Sequence, residues 1–239
     1  MKIQRSSSRA HAVKKVTVLY IIFPLVLLLF FLGGCQGVYF RGQTEEKIVA
    51  LTFDDGPHPV YTPQVLEILE AVGVKATFFL IGRQARSHPE VVQQIKARGH
   101  EIENHSDNHL FYLSWLPAER MRQEIVAAQE TIHRITGDSP SFFRSPLGWV
   151  SNDLVAVCRE LKLPIVNGSV KAADVSLPGT EYIIDAVLEK TRSGAIIILH
   201  DAGGVGLYRD RTQTLEAIPN IIQNLKERGY KFVLIRELI

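Results

Sequence analysis

The chain has 239 residues, 46% of them hydrophobic and 22% charged, and a formal net charge of only +2. That length and balance suit one well-filled core, and so small a charge excludes nucleic-acid binding through bulk basicity. With only Cys35 and Cys158 present, a fold held by a disulfide framework is excluded as well.

In chain order, Lys2, Arg5, Arg9, Lys14 and Lys15 precede an almost unbroken apolar run from Val16 to Leu32, interrupted by Thr17 and Pro24. Basic residues followed by such a run read as a secretory leader or membrane anchor whose N-terminus stays inside. The run closes on Leu32-Gly33-Gly34-Cys35, which resembles the bacterial lipobox and implies that Cys35 is lipidated. The alternative is an uncleaved anchor in which Cys35 is incidental. Either way residues 1–35 tether the rest to a membrane on its extracytoplasmic side. Residues 36–46 are polar, carry two glycines and read as a linker. Residues 47–239 then form one domain, expected to be a monomer.

Within that domain, strand-like runs are expected at Lys47–Phe53, Ala76–Ile81, Glu101–Glu103, Ser141–Phe143, Pro164–Asn167, Ala195–Leu199 and Lys231–Ile235. Several are continuously apolar, as strands buried on both faces are. Helical patterns fill the gaps at Gln64–Val72, Pro89–Arg98, Pro117–Thr136 and Thr214–Arg228, and each is followed by a glycine, Gly73, Gly99, Gly137 or Gly229. Glycine there ends a helix in the left-handed conformation. A further helical run, Asn152 to Leu161, holds Cys158 as a small buried hydrophobe. Strand, helix, glycine, strand is the pattern of an α/β fold, here a distorted or incomplete (β/α) barrel of about seven parallel strands.

The residues with chemistry fall at or just past the carboxyl ends of these strands, where a parallel barrel builds its sites. The first group is Thr52-Phe53-Asp54-Asp55-Gly56-Pro57. Adjacent carboxylates at a strand tip point apart, so one can bind a cation while the other handles a proton. The second is His105-Ser106-Asp107-Asn108-His109, whose two histidines share a face if the segment is helical. One carboxylate with two imidazoles suits Zn2+ and leaves a position open for water, although cobalt, nickel or iron would also be accepted. Taken singly, these motifs read as an acidic turn and a surface histidine pair.

Three more stretches complete an ordered set: Arg144-Ser145-Pro146-Leu147-Gly148, Lys171-Ala172-Ala173-Asp174-Val175 and Leu199-His200. Together the five resemble the motifs of the polysaccharide deacetylases, carbohydrate esterase family four, over residues 47 to 239. The resemblance implies a metal-dependent hydrolase removing acetyl groups from a glycan. It makes Asp54 the general base and Asp55, His105 and His109 the metal ligands. It makes His200 the acid for the leaving amine, with Arg144 and Asp174 tuning base and acid and the Leu147 backbone N–H facing the oxyanion. The fourth motif departs from the family pattern, because Lys171 stands for an aspartate and Val175 for a tryptophan.

The implied activity is N-deacetylation of N-acetylglucosamine or N-acetylmuramic acid units in a peptidoglycan or chitin-like polymer. The alternatives are an O-acetyl xylan esterase and a non-catalytic glycan-binding lipoprotein of the same fold. Trp149 is a candidate sugar-stacking surface or a rim aromatic, His58 a substrate contact or a turn residue, and His88 the lead-in to a helix. Asp201 is expected to point away from His200. Gly203-Gly204-Val205-Gly206 reads as a lip beside His200, and Tyr208-Arg209-Asp210-Arg211 as a segment that reaches the glycan or, as charge at a helix start usually is, as solvated.

Overall fold

The computed structural model describes residues 37–203 and 210–239. The leader, the apolar run and Cys35 lie outside the described residues, as do Gly204, Val205, Gly206, Tyr208 and Arg209. Among the described residues no helix is long and apolar enough to cross a membrane.

The first half of the compact unit contains β1 (Val38–Tyr39), β2 (Ile48–Asp54), α1 (Tyr61–Ala71), β3 (Thr77–Leu80), α2 (Gly82–Ser87), α3 (Pro89–Ala97), β4 (Glu101–Asn104) and α4 (Ala118–Thr136). The second half contains α5 (Asn152–Glu160), β5 (Ile165–Val166), β6 (Val170–Lys171), α6 (Thr180–Lys190), β7 (Ile196–His200), α7 (Thr212–Glu227), β8 (Lys231–Val233) and α8 (Ile235–Leu238). Every strand pair is parallel.

The main sheet runs β4-β3-β2-β7-β6, and β8 shares an edge of β2 with β3. β8 takes Ile48 to Ala50 and β3 takes Thr52 to Asp54. Phe143 bridges β4 to β5 through Asn104 and Ile165, and β5 carries β1 on its other side. No ladder joins β5 to β6 among the described residues, so the barrel is an incomplete one, as its strand pattern foretold.

Alternation along the central strands sorts the side chains. Val49, Leu51 and Phe53 of β2, with Ile197 and Leu199 of β7, pack outward against the helices in the main core. Their neighbours Ala50 and Ile196 face inward and meet Phe79, Val166, Ile235 and Leu238 in a second cluster that plugs the far end of the barrel. Each such fully buried large aliphatic or aromatic side chain contributes about 1.5–3 kcal/mol. Continuing the inward column by steps of two leads from Ala50 to Thr52 and Asp54, and from Ile196 to Ile198 and His200, so the floor becomes the site.

Two expectations need correction. Residues 37–46 are no linker: Gly37 and Tyr39 accept backbone hydrogen bonds from Ile165 and Asn167 at 2.6 and 2.7 Å, and the Gly42 N–H reaches Gly194 at 2.8 Å. Ser141–Phe143 forms bridges at Phe143 in place of a full strand, because the N–H groups of Ser141 and Phe142 donate to the Glu103 carboxylate at 2.7 Å each. The glycine stops hold, with Gly73, Gly99, Gly137 and Gly229 all at positive φ.

Gly56 follows the first motif with its missing Cβ in use: a Cβ there would lie 2.5 and 2.6 Å from the two carboxylate oxygens of Asp201, which is fully buried. Gly56→Ala should therefore lower stability by about 1–3 kcal/mol, the usual cost of overpacking. Urea denaturation monitored by circular dichroism checks this.

Candidate active site

Asp54 ends β2 and His200 ends β7, and the register places them directly opposite one another. His105 follows β4, Arg144 follows the Phe143 bridge, and Asp174 follows β6. Asp54, Asp55, His105, His109, Arg144, Leu147 and His200 all line one cleft of about 570 Å³. Asp174 lies behind His200, fully buried.

The metal-type donors converge. Nε2 of His109 and of His105 lie 3.2 and 3.5 Å from Oδ1 of Asp55, and the three ligand atoms fall within 4.8 Å of one another. Donors about 2.0–2.2 Å from a tetrahedral ion are separated by about 3.3–3.6 Å, so the set fits such an ion. His105 Nδ1–H donates to the Arg144 carbonyl at 2.8 Å, which leaves Nε2 as the lone-pair nitrogen facing Asp55.

The expected helical face for the two histidines is not how they meet. Ser106 and His109 have φ of 64° and 52°, and the segment is a loop whose His109 N–H is held by Ser106 Oγ at 3.0 Å. Asn104 sets the loop from below, its Oδ1 accepting from the Ser106 N–H and its Nδ2 donating to the Ile125 carbonyl. Asp107 and Asn108 are engaged elsewhere, by Arg86 and Glu124. Burial pushes the Asp55 pKa up. The neighbouring His105, His200 and His109 outweigh it and hold the carboxyl below its usual range. Burial and the charge of His105 bring His109 down to about 4.

Two carboxylate pairs flank this centre. Arg144 Nη1 donates to Asp54 Oδ1 at 2.6 Å and to Thr52 Oγ1 at 2.7 Å, while Nε donates to the Val166 carbonyl at 3.0 Å. Its guanidinium carbon lies 3.9 Å from the Phe79 ring centroid. Burial draws the Arg144 pKa down against the pull of Asp54, but a guanidinium remains charged. On the opposite side, Asp174 accepts from the His200 ring at Oδ1 (2.8 Å), and from the His200 N–H (2.9 Å) and Thr214 hydroxyl (3.1 Å) at Oδ2. Burial alone would lower the His200 pKa. The charge and hydrogen bond of Asp174, with the charges of Asp55 and Asp54, raise it to about 9.

Leu147 is half exposed in a left-handed conformation at φ 58° on the cleft wall, and Val175 lines the same wall. Asp201 turns away from His200 to accept from Thr62, and burial pushes its pKa up to about 7. His58 Nδ1 accepts the Val60 and Tyr61 N–H groups at the head of α1, and His88 precedes Pro89 at the start of α3. Trp149 stacks edge-on to Trp115 on the surface, at 4.7 Å between centroids. Cys158 is buried, and burial pushes its thiol up to about 12.

Two cleft residues, Phe111 and Asn167, escaped the sequence reading as site residues, and a third, Arg211, is expected from sequence to be solvated more than to reach the glycan. Arg211 is 1% exposed, the reverse of solvated, and its Nε and Nη1 bind the Ala202 and Asp174 carbonyls. Nothing in the local pattern distinguishes it from a surface arginine.

A barrel-mouth cleft with an N,N,O donor triad between an acid–base pair of residues defines a hydrolytic enzyme. The polysaccharide deacetylase family model matches residues 41–166. A peptidoglycan-N-acetylglucosamine deacetylase of Bacillus cereus is 38% identical over 196 residues, which is 81% of this chain and 89% of that relative. A chitooligosaccharide deacetylase of Sinorhizobium fredii is 37% identical, covering 80% of this chain and 91% of its own. The solved structure of a peptidoglycan N-acetylglucosamine deacetylase in complex with an N-oxidanyl-benzamide compound superposes with a TM-score of 0.79 at 32% identity, over 84% of this chain and 92% of that one. The chain belongs to the polysaccharide deacetylase family, carbohydrate esterase family four, and is an amide hydrolase.

The His200–Asp174 contact is measurable without any substrate. In an NMR titration the His200 imidazole should lose its proton near pH 9, and in Asp174→Asn its pKa should fall by about 1–3 units once the opposite charge is gone.

Proposed function

We propose that the protein is a zinc-dependent N-deacetylase of a cell-wall-type glycan, acting on N-acetylglucosamine or N-acetylmuramic acid units. The observation that carries this reading is the position of the donor triad Asp55, His105 and His109 between Asp54 and His200 at one barrel mouth. Asp55, His105 and His109 would hold the ion. When bound there, zinc would acidify a water molecule and polarise the acetyl carbonyl.

The chain's own residues account for the proton transfers. Arg144 occupies Oδ1 of Asp54, and the other oxygen is the one that takes the proton from the attacking water. The Leu147 N–H, on the cleft wall with no protein acceptor among the described residues, faces the developing oxyanion. His200 then protonates the leaving nitrogen. With Asp174 on Nδ1 at 2.8 Å, the proton it delivers is the one on Nε2. Such a donor is what an amide needs, because an amine cannot depart as its anion. Val175 leaves a smaller apolar wall at the acetyl methyl than an aromatic residue would.

The sequence before Gln36 supports a location outside the cytoplasm. We place the domain on a membrane tether there, with Cys35 as its lipidation site.

Three experiments test the reading. Asp54→Asn should cut acetate release from a chitin oligomer or peptidoglycan by about 10²–10⁴-fold, the range for a positioned base, while metal content measured by mass spectrometry stays at the unmutated level. An unmutated, zinc-loaded protein that frees no acetate from chitin oligomer, peptidoglycan or acetylated xylan would sink it. The acid must also be protonated to act, so kcat should decline as pH rises through the His200 pKa, which the Asp174 carboxylate holds above the usual imidazole value.

A further inference from the structure

The cations lining the cleft are not equally committed. Arg144 binds Asp54 and two further oxygens. His200 is bound to Asp174, and Arg211 donates to two carbonyls. Lys171 lines the same cleft from β6, where it pairs in register with Ile198, yet its ammonium has no carboxylate or carbonyl partner among the described residues. Both carboxylates of the lining, Asp54 and Asp55, are already engaged.

Lys171 is exposed, and its ammonium stands over Gly148. It lies 3.3 Å from the point that a Cβ on Gly148 would occupy, and Oδ1 of Asn167 lies 3.5 Å from that same point. Asn167 is 4% exposed, and its Nδ2 is spent on the Gly148 carbonyl at 3.2 Å. Its Oδ1 is buried with no partner. A buried acceptor left unmatched keeps its full desolvation penalty unless a ligand group reaches it. An exposed cation and a buried, unmet acceptor therefore flank one spot over the bare backbone of Gly148, in the cleft that holds the catalytic residues.

We propose that Lys171 and Asn167 form a subsite for a sugar bearing a carboxylate, with the ammonium taking the carboxylate and the Asn167 carbonyl taking a sugar hydroxyl. This rests on the glycan deacetylase reading and narrows its substrate to an anionic glycan. The carboxylate could be the lactyl group of a muramic unit or the C6 carboxylate of a uronic acid.

The test compares four acetylated glycans of matched length: peptidoglycan strands stripped of peptide, the same strands with carboxylates reduced to alcohols, a chitin oligomer, and a uronic-acid-containing oligomer. The unmutated enzyme should show kcat/KM about tenfold or more higher on a carboxylated glycan than on the neutral ones, through KM, and the preference should fade in high salt. Whichever of the stripped strand and the uronic oligomer is preferred identifies the source. Lys171→Met should bring the ratio to near one, and Lys171→Arg should restore it. One common ratio in unmutated and Lys171→Met enzymes would overturn the subsite alone. Binding calorimetry on Asp54→Asn separates the two readings. Preferential binding of the carboxylated strand, with no acetate released by unmutated enzyme from any glycan, would overturn the catalytic reading and leave the recognition standing.

Discussion

The parallel pairing of β2 with β7, Asp54 opposite His200, is the constraint on which the rest depends. Adjacent parallel strands hold opposed residues about 4.7–4.9 Å apart, so the ladder itself fixes the spacing of the two proton-handling groups. A slip of one residue would turn Phe53 or Leu199 into the cleft and send a charged group into the apolar layer under the helices. The buried faces of Val49, Leu51, Phe53, Ile197 and Leu199 forbid that slip. Packing far from the chemistry thus sets its geometry.

Arg144 shows how a charge survives in such a place. Taking a guanidinium out of water is costly, and only good partners offset the loss. At 1% exposure it has Asp54, Thr52 and the Val166 carbonyl as acceptors, with the Phe79 ring against it. Its backbone carbonyl receives the His105 ring at the same time. One residue therefore ties the Asp54 side of the site to the donor triad, and the two cannot shift independently.

Much of this was legible in the sequence where local chemistry and tertiary position agree. The long apolar runs became β2, β3 and β7, the glycine stops held at their four helices, and the barrel-rim logic brought Asp54, Asp55, His105, His109, Arg144 and His200 together. What escaped is what only tertiary contact decides. β1 and β6 are two residues each, too short for any periodicity, and exist because neighbouring backbones supply their partners. α2 and α6 are helices that the glycine rule did not single out. The histidine spacing suggested a helix, but two left-handed residues deliver the same convergence from a loop. Arg211 reads as solvated charge because its burial comes from the Ala202 and Asp174 carbonyls, which no nearby pattern announces.

Asp55 sits at φ 76°, in the left-handed region that aspartate and asparagine tolerate better than most residues. That conformation is what lets two consecutive carboxylates address different neighbours, one turned to Arg144 and the other to the histidines. The position is thus selected twice, by ligand chemistry and by backbone shape. Glutamate meets only the first requirement and asparagine only the second, so aspartate alone satisfies both, even though its neighbours on either side perform quite separate tasks.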